Sequence, residues 1–256
     1  MFVIAMNLLI YIFSPLMIKA IYNVEKSEEI QNIVDEVKNK LNYKGKLIGG
    51  IAKVDFPNAF AFGNFIFGNY VVVTEGMRKI VDKNELRAVI GHEIGHHMHK
   101  DNFVMLLFGL IPSIIYYLGY ALLSSRNEEQ NLMSIGIGIF AIAFSFILQV
   151  LILAFSRLRE YFADYEGARA TNKEAMQSSL VKIYEYYKKN EPIVESEENI
   201  GRTLFIYALV ESIANPLVGR QTIEKIKKEK VSPIEEFLSS HPPIPKRLKF
   251  LDNAKV

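Results

Sequence analysis

His92-Glu93-Ile94-Gly95-His96 is the stretch on which the reading of this chain turns. Two histidines at i and i+4 project from one face of a helix, close enough for both imidazoles to hold one zinc ion at about 2.0–2.1 Å. Glu93 then stands beside the metal, where a carboxylate takes a proton from water and returns it to a leaving amine. The motif belongs to a helix predicted to begin near Asp82, since Asp82 and Glu85 have capping-box spacing and Leu86, Val89 and Ile90 continue the pattern toward His99. Gly95 is read as keeping the motif face open. Four of the five histidines of the chain lie in this segment.

Not all four can bind one ion. His97 points about 100° away from His96, which suits a supporting or surface role, and His99 lies roughly 10 Å along the axis from His92. The extended H-E-x-x-H-x-x-G-x-x-H pattern is absent, because its glycine position is His99 and its last histidine position is Asn102. A third ligand must therefore come from elsewhere. His241 is the only other histidine, so a carboxylate is favoured, and Glu160 and Asp164 form a second i, i+4 pair. One of them can reach the metal while the other orients a ligand histidine. On spacing alone, an ordinary amphipathic surface helix is the better account of the pair.

Hydropathy sets the surroundings. The chain has 256 residues, 50% of them hydrophobic, and the excess sits in a few uncharged blocks. Residues 103–123 and 132–155 each carry no charge and are long enough to cross about 30 Å of hydrocarbon as helix. Pro112 is expected to kink the first, and the polar residues 124–131 join the two as a hairpin. Residues 2–21 form a third apolar block, interrupted by Pro15 and Lys19, and read as an uncleaved anchor rather than a signal peptide. Lys19, Lys100, Arg157 and Arg159 flank one side and Arg126 the other, so the polar pieces are expected in the cytoplasm. With Lys+Arg 30 against Asp+Glu 28, no overall field recruits nucleic acid. The absence of cysteine excludes disulfides, a thiolate metal site and a cysteine nucleophile.

Two polar pieces remain, 22–102 and 156–256, separated by the 103–155 hairpin but on one side of it, and they are expected to form one domain. Ile30, Ile33, Val34, Val37 and Leu41 fall at helical spacing after Ser27. Residues 46–56, 58–62 and 70–74 read as short strands punctuated by glycine. Helices are predicted at 173–189, 202–214, 221–230 and 233–238, the last capped by Ser232, and 191–199 reads as a solvated acidic loop. His241, fixed by Pro242 and Pro243, either donates a hydrogen bond to the oxyanion of a reaction intermediate or, with Arg247, pins the C-terminal helix.

Four stretches together resemble the HtpX-like membrane zinc metalloproteases, which are related to the CAAX prenyl proteases. In order they are Pro57-Asn58-Ala59-Phe60-Ala61-Phe62-Gly63, Asn84-Glu85-Leu86 leading into the His92 motif, Ser156-Arg157-Leu158-Arg159-Glu160-Tyr161-Phe162-Ala163-Asp164, and His241-Pro242-Pro243 with Arg247. The likeness runs from about Gly50 to Leu251. It implies that Glu160 is the third zinc ligand with Asp164 as its structural companion, and that Asn58, Ala59, Phe60, Ala61 and Phe62 form an edge strand for substrate. It also implies damaged or misassembled membrane proteins as substrates. The start of the chain departs from the family pattern, which usually carries two spans where this sequence offers one, and Phe62 stands where a smaller residue is common and is expected to narrow the cleft.

The expectation is an α+β, gluzincin-like zinc metallopeptidase domain, mainly helical with a small sheet, tethered by three membrane helices and holding one Zn2+ per chain. It would act on polypeptides at the lipid bilayer, with His92, His96 and Glu160 on the metal and Glu93 as base. A CAAX-type prenyl-protein protease is the nearest alternative, although three spans are too few to enclose a large intramembrane chamber. A membrane scaffold with a metal site and no catalysis is the other, against which Glu93 argues, since a structural zinc site needs no base.

Overall fold

The structure, a computed structural model, describes residues 2–124, 132–189, 223, 224, 226–229, 236, 239 and 241–256. Residues 125–131 of the expected loop 124–131, with Arg126, the acidic stretch 191–199, the helix 202–214, residues 221, 222, 225 and 230 of the helix expected at 221–230 and all but residue 236 of the one expected at 233–238 lie outside the described residues. In chain order the elements are α1 (Phe2–Ile21), β1 (Val24–Lys26), α2 (Glu28–Lys40), β2 (Ile48–Ala52), β3 (Ala59–Asn64), β4 (Gly68–Thr74), α3 (Glu75–Ile80), α4 (Lys83–Met98), α5 (Asp101–Ser124), α6 (Leu132–Ala170), α7 (Lys173–Lys189) and α8 (Ile244–Asn253).

Local signals set these boundaries. Ser27 caps α2, its side chain accepting from the Ile30 N–H. The capping box of α4 is complete: Asp82 Oδ1 accepts from the amides of Asn84 and Glu85, and Glu85 Oε2 accepts from the Asp82 amide at 2.7 Å. Such a cap is worth about 1 kcal/mol. The motif helix ends at His99, where Lys100 takes a left-handed φ of 54° and turns the chain into α5.

The sheet has order β1-β2-β4-β3, with β2 and β4 parallel and both outer pairs antiparallel. β3 is thus an edge strand. Val71 and Val73 of β4 face Ile30, Val34 and Val37 of α2 and Leu86, Val89 and Ile90 of α4, all buried in one core. At about 1.5–3 kcal/mol for each large apolar side chain, this core ties the sheet to the motif helix. A second core joins Ala88 of α4 to Met176 and Leu180 of α7 and Leu248 and Leu251 of α8.

Three described helices are long and apolar enough to cross a membrane: α1, α5 and α6. α6 is the longest of them. It runs 39 residues without a break, about 58 Å, so roughly half projects beyond a 30 Å hydrocarbon core. The boundary expected at 155/156 falls inside this helix. Charges appear at Arg157, but no proline or glycine interrupts the helix there, so leaving the apolar layer does not end it. β1 was not anticipated, since three residues carry too little pattern to be read, and its place comes from pairing with β2.

Candidate functional site

The site forms where α4 meets the projecting half of α6. That approach depends on small residues. A Cβ on Gly91 would collide with Ala170 and come within 3.1 Å of Gly167 Cα, and one on Gly95 would lie 3.0 Å from Ala163 Cα. The face that Gly95 keeps open is the one taken by α6. With the helices in contact, Glu160 is carried up to the two motif histidines.

Three side chains converge. His92 Nε2 and His96 Nε2 are 3.2 Å apart, Glu160 Oε2 is 3.7 Å from the first and Glu160 Oε1 is 3.5 Å from the second. Tetrahedral bonds of about 2.0–2.1 Å would separate ligand atoms by roughly 3.3 Å, so the spacing fits one small cation. The tautomers agree with this. His96 Nδ1 bonds Asp101 Oδ2 at 2.6 Å, which places that ring's proton on Nδ1, and His92 Nδ1 lies 3.0 Å from Asp164 Oδ1, a carboxylate suited to hold its ring the same way. Both Nε2 lone pairs then face each other and a carboxylate, an electron-rich donor set that a cation completes. Burial disfavours charge on His96, but the bond to Asp101 and the carboxylates of Glu160 and Glu93 outweigh it and push its pKa up to about 9, so a proton occupies Nε2 until a cation displaces it.

Glu93 is buried beside this cluster. Burial raises its pKa above the ordinary carboxylate range, opposed by His92 and His96 and by a backbone hydrogen bond from Ala61. That bond links the carboxylate to β3. Because the Thr74 amide donates to the Asn58 carbonyl, antiparallel alternation makes Phe60–Val72 and Phe62–Tyr70 the hydrogen-bonded pairs. The amides and carbonyls of Ala59 and Ala61 consequently point away from β4, toward the cleft. The cleft has a volume of 220 Å³ and is lined by Asn58, Ala59, Phe60, Ala61, Glu93 and His241 among others. Phe62 is not part of it. Its ring is buried on the opposite face of the sheet, stacked on Tyr70 at 5.0 Å, so it does not narrow the cleft as expected.

Asp164 is fully buried between His92 and Arg247, whose Nε and Nη2 reach its two oxygens at 2.8 and 2.5 Å. Arg247 Nη1 also lies 3.7 Å from Glu160 Oε2. His241 is half-buried, with Nε2 3.5 Å from Glu160 Oε1, and burial pushes its pKa down against the pull of Glu160, leaving the ring neutral near pH 7. His97 is buried rather than on the surface, its Nε2 bonded to the Tyr70 carbonyl at 2.9 Å, which ties α4 to β4. His99 is exposed and packs its ring near Phe162.

Sequence reasoning missed Asp101 and Arg159. Arg159 Nε pairs with Asp101 Oδ1 at 3.0 Å, so the residue preceding Glu160 fixes the carboxylate that orients His96. A signal existed: an acid opening one apolar span and an arginine following the other, on the same side of the bilayer.

A family model described as peptidase family M48 matches residues 25–255. A protease HtpX homologue of Archaeoglobus fulgidus is 50% identical over 258 residues, covering 100% of this chain and 76% of that protein. The protease HtpX homologue of Pyrobaculum calidifontis is 48% identical over 262 residues, covering 98% and 75%. Among solved structures, S. mikatae Ste24p matches with a TM-score of 0.59 at 16% identity, covering 98% of this chain and 56% of that one, a likeness of fold.

Proposed function

We propose, from the premise that this chain belongs to peptidase family M48, that the metal of this membrane metalloprotease is zinc, one ion held by His92, His96 and Glu160. The observation that carries the reading is the convergence of three donor atoms within 4.8 Å on helices α4 and α6, with a carboxylate behind each imidazole. Zinc bound there supplies a Lewis acid that acidifies water and polarises a carbonyl.

The remaining work belongs to the protein's own residues. A substrate segment lies extended along β3 and pairs with the outward amide and carbonyl of Ala59 and the outward carbonyl of Ala61, which favours unfolded or locally extended polypeptide over a strict sequence code. Glu93 takes the proton of the attacking water at its carboxylate and delivers it to the leaving nitrogen. His241 donates to the oxygen that becomes negative as the carbonyl is attacked. Asp164 and Asp101 hold the two imidazoles, and Arg247 and Arg159 hold those carboxylates. Lys19, Lys100, Arg157 and Arg159 flank the spans on the side of the site, which supports a cytoplasmic catalytic domain. Damaged or misassembled membrane proteins are the substrates that this placement suits.

Zinc content and casein cleavage of the full chain in detergent test the reading together. The purified protein is expected to carry one zinc and to lose cleavage when a chelator strips it. Glu160→Ala should lose the ion and His97→Ala should keep it; stoichiometric zinc in the Glu160 variant would overturn the ligand set. Asp101→Asn is expected to weaken zinc binding by about 10–100-fold, measured by competition with a chromophoric chelator. Unchanged affinity would reduce Asp101 to a role in folding.

A further inference from the structure

The connection between β3 and β4 has the wrong chemistry for a hairpin in water. Hairpin turns at a wet surface are usually polar, yet this one reads Asn64-Phe65-Ile66-Phe67-Gly68, and no charged residue occurs anywhere from Phe56 to Thr74. Phe65 is 86% exposed and Ile66 50%. An apolar patch left bare on a folded protein marks a surface that something else covers.

The neighbour of the hairpin identifies the cover. β3 and β4 lie along α1, one of the helices long and apolar enough to span a membrane. At the domain end, Phe60 packs on Tyr22 at 5.0 Å and Lys19 Nζ sits 5.2 Å from the Tyr70 ring centre. Toward the tip, Asn64 Nδ2 donates to the carbonyls of Tyr11 and Ile12, and Phe67 lies 6.2 Å from Phe13. Pro15 has no N–H to offer the Tyr11 carbonyl, and that carbonyl instead accepts from the Ser14 hydroxyl and from the hairpin's Asn64. Lys19 belongs at the headgroup boundary. Tyr11 and Ile12 lie about 10–12 Å further along the helix axis, inside a hydrocarbon half-layer about 15 Å deep.

Two of the turn's amides are also met from within. Asn64 Oδ1 accepts from the amides of both Ile66 and Phe67 at 3.0 Å, while its Nδ2 serves α1, so one buried side chain meets the polar groups of two elements. Gly63 and Gly68, at φ 145° and 85°, allow the tight reversal. In lipid an unmet backbone group costs several kcal/mol, and a turn whose Ile66 and Phe67 amides are met by Asn64 while its apolar side chains lie outward is suited to that solvent.

We infer that the β3–β4 hairpin is a further membrane-inserted element, with the side chains of Phe65, Ile66 and Phe67 among the acyl chains beside α1. The inference deepens the proposed function and rests on its membrane reading, not on its metal. β3 then runs from Glu93 down into the bilayer, and a segment that adds to its edge is drawn from the membrane itself.

The chain has no cysteine, so single nitroxide labels report directly. Phe65→Cys and Ile66→Cys, in the full chain reconstituted in phosphatidylcholine vesicles, are compared with Leu9→Cys on α1 and Lys44→Cys on the exposed domain surface. Relaxation by oxygen and by a water-soluble nickel chelate is measured. Labels at 65 and 66 are expected to match position 9, reached by oxygen and hidden from nickel. Nickel access equal to position 44 would place the tip in water and overturn the inference. Loss of access to both reagents would mean that protein, such as a second copy, covers the tip, and would overturn it as well. Neither readout depends on zinc or turnover, so failure here and failure of the metal assignment are distinguishable.

Discussion

Glu93→Gln is expected to keep fold and metal while losing about 10²–10⁴-fold in kcat. The amide is nearly isosteric with the carboxylate, and Glu93 is not among the converging donors formed by His92, His96 and Glu160. What it loses is the capacity to accept a proton at neutral pH. Stability should not suffer, because Glu93 is buried, its charge is disfavoured by desolvation, and replacing it removes that cost. The hydrogen bond from Ala61 can still be accepted by the amide oxygen, so β3 keeps its distance from α4. Three measurements on one preparation decide the matter: zinc content, thermal midpoint and cleavage of a quenched peptide. Near-normal peptidase activity with zinc retained would exclude the general-base role.

What was legible in the sequence was local. The i, i+4 spacing of His92 and His96, the Asp82 and Glu85 box and the uncharged blocks each encode structure within a turn or a span, and each appears in the fold. Asp164 could be named as a partner for a ligand histidine, because a zinc-binding imidazole needs one, but only the family resemblance chose between Glu160 and Asp164. The rest is tertiary. Asp101 reads in sequence as a linker residue, and its meaning comes from the turn at Lys100 that swings it back under His96. The small-residue seam of Gly91 and Gly95 against Ala163 and Gly167 has a spacing visible in sequence, though only the packing of α4 on α6 shows why it exists. Phe62 was misplaced for a simpler reason. Neighbouring strand residues face opposite ways, so Ala61 at the cleft puts Phe62 behind the sheet.

His241→Ala is expected to lower kcat by about 10²–10³ with little change in KM or thermal midpoint, as removal of an oxyanion donor does. Sequence left His241 and Arg247 as joint candidates for pinning the C-terminal helix, and variants of the two distinguish their roles. Arg247 is buried and doubly bonded to Asp164, so it fastens α8 to α6. Removing it leaves a buried carboxylate without its partner, a loss of about 3–5 kcal/mol. The His241 side chain is 32% exposed at the rim of the cleft, where its Nε2 lies 3.5 Å from Glu160 Oε1. Its place in the chain is held by its backbone: the amide accepts nothing but donates to Ser239 Oγ, and the Ser239 hydroxyl donates in turn to the His241 carbonyl. Alanine preserves both bonds. Arg247→Ala should therefore melt well below the parent protein, whereas His241→Ala should melt with it and turn over slowly. A His241 variant that melts several degrees lower while its folded fraction keeps full kcat would assign the histidine to the scaffold and leave the oxyanion without a donor from this loop.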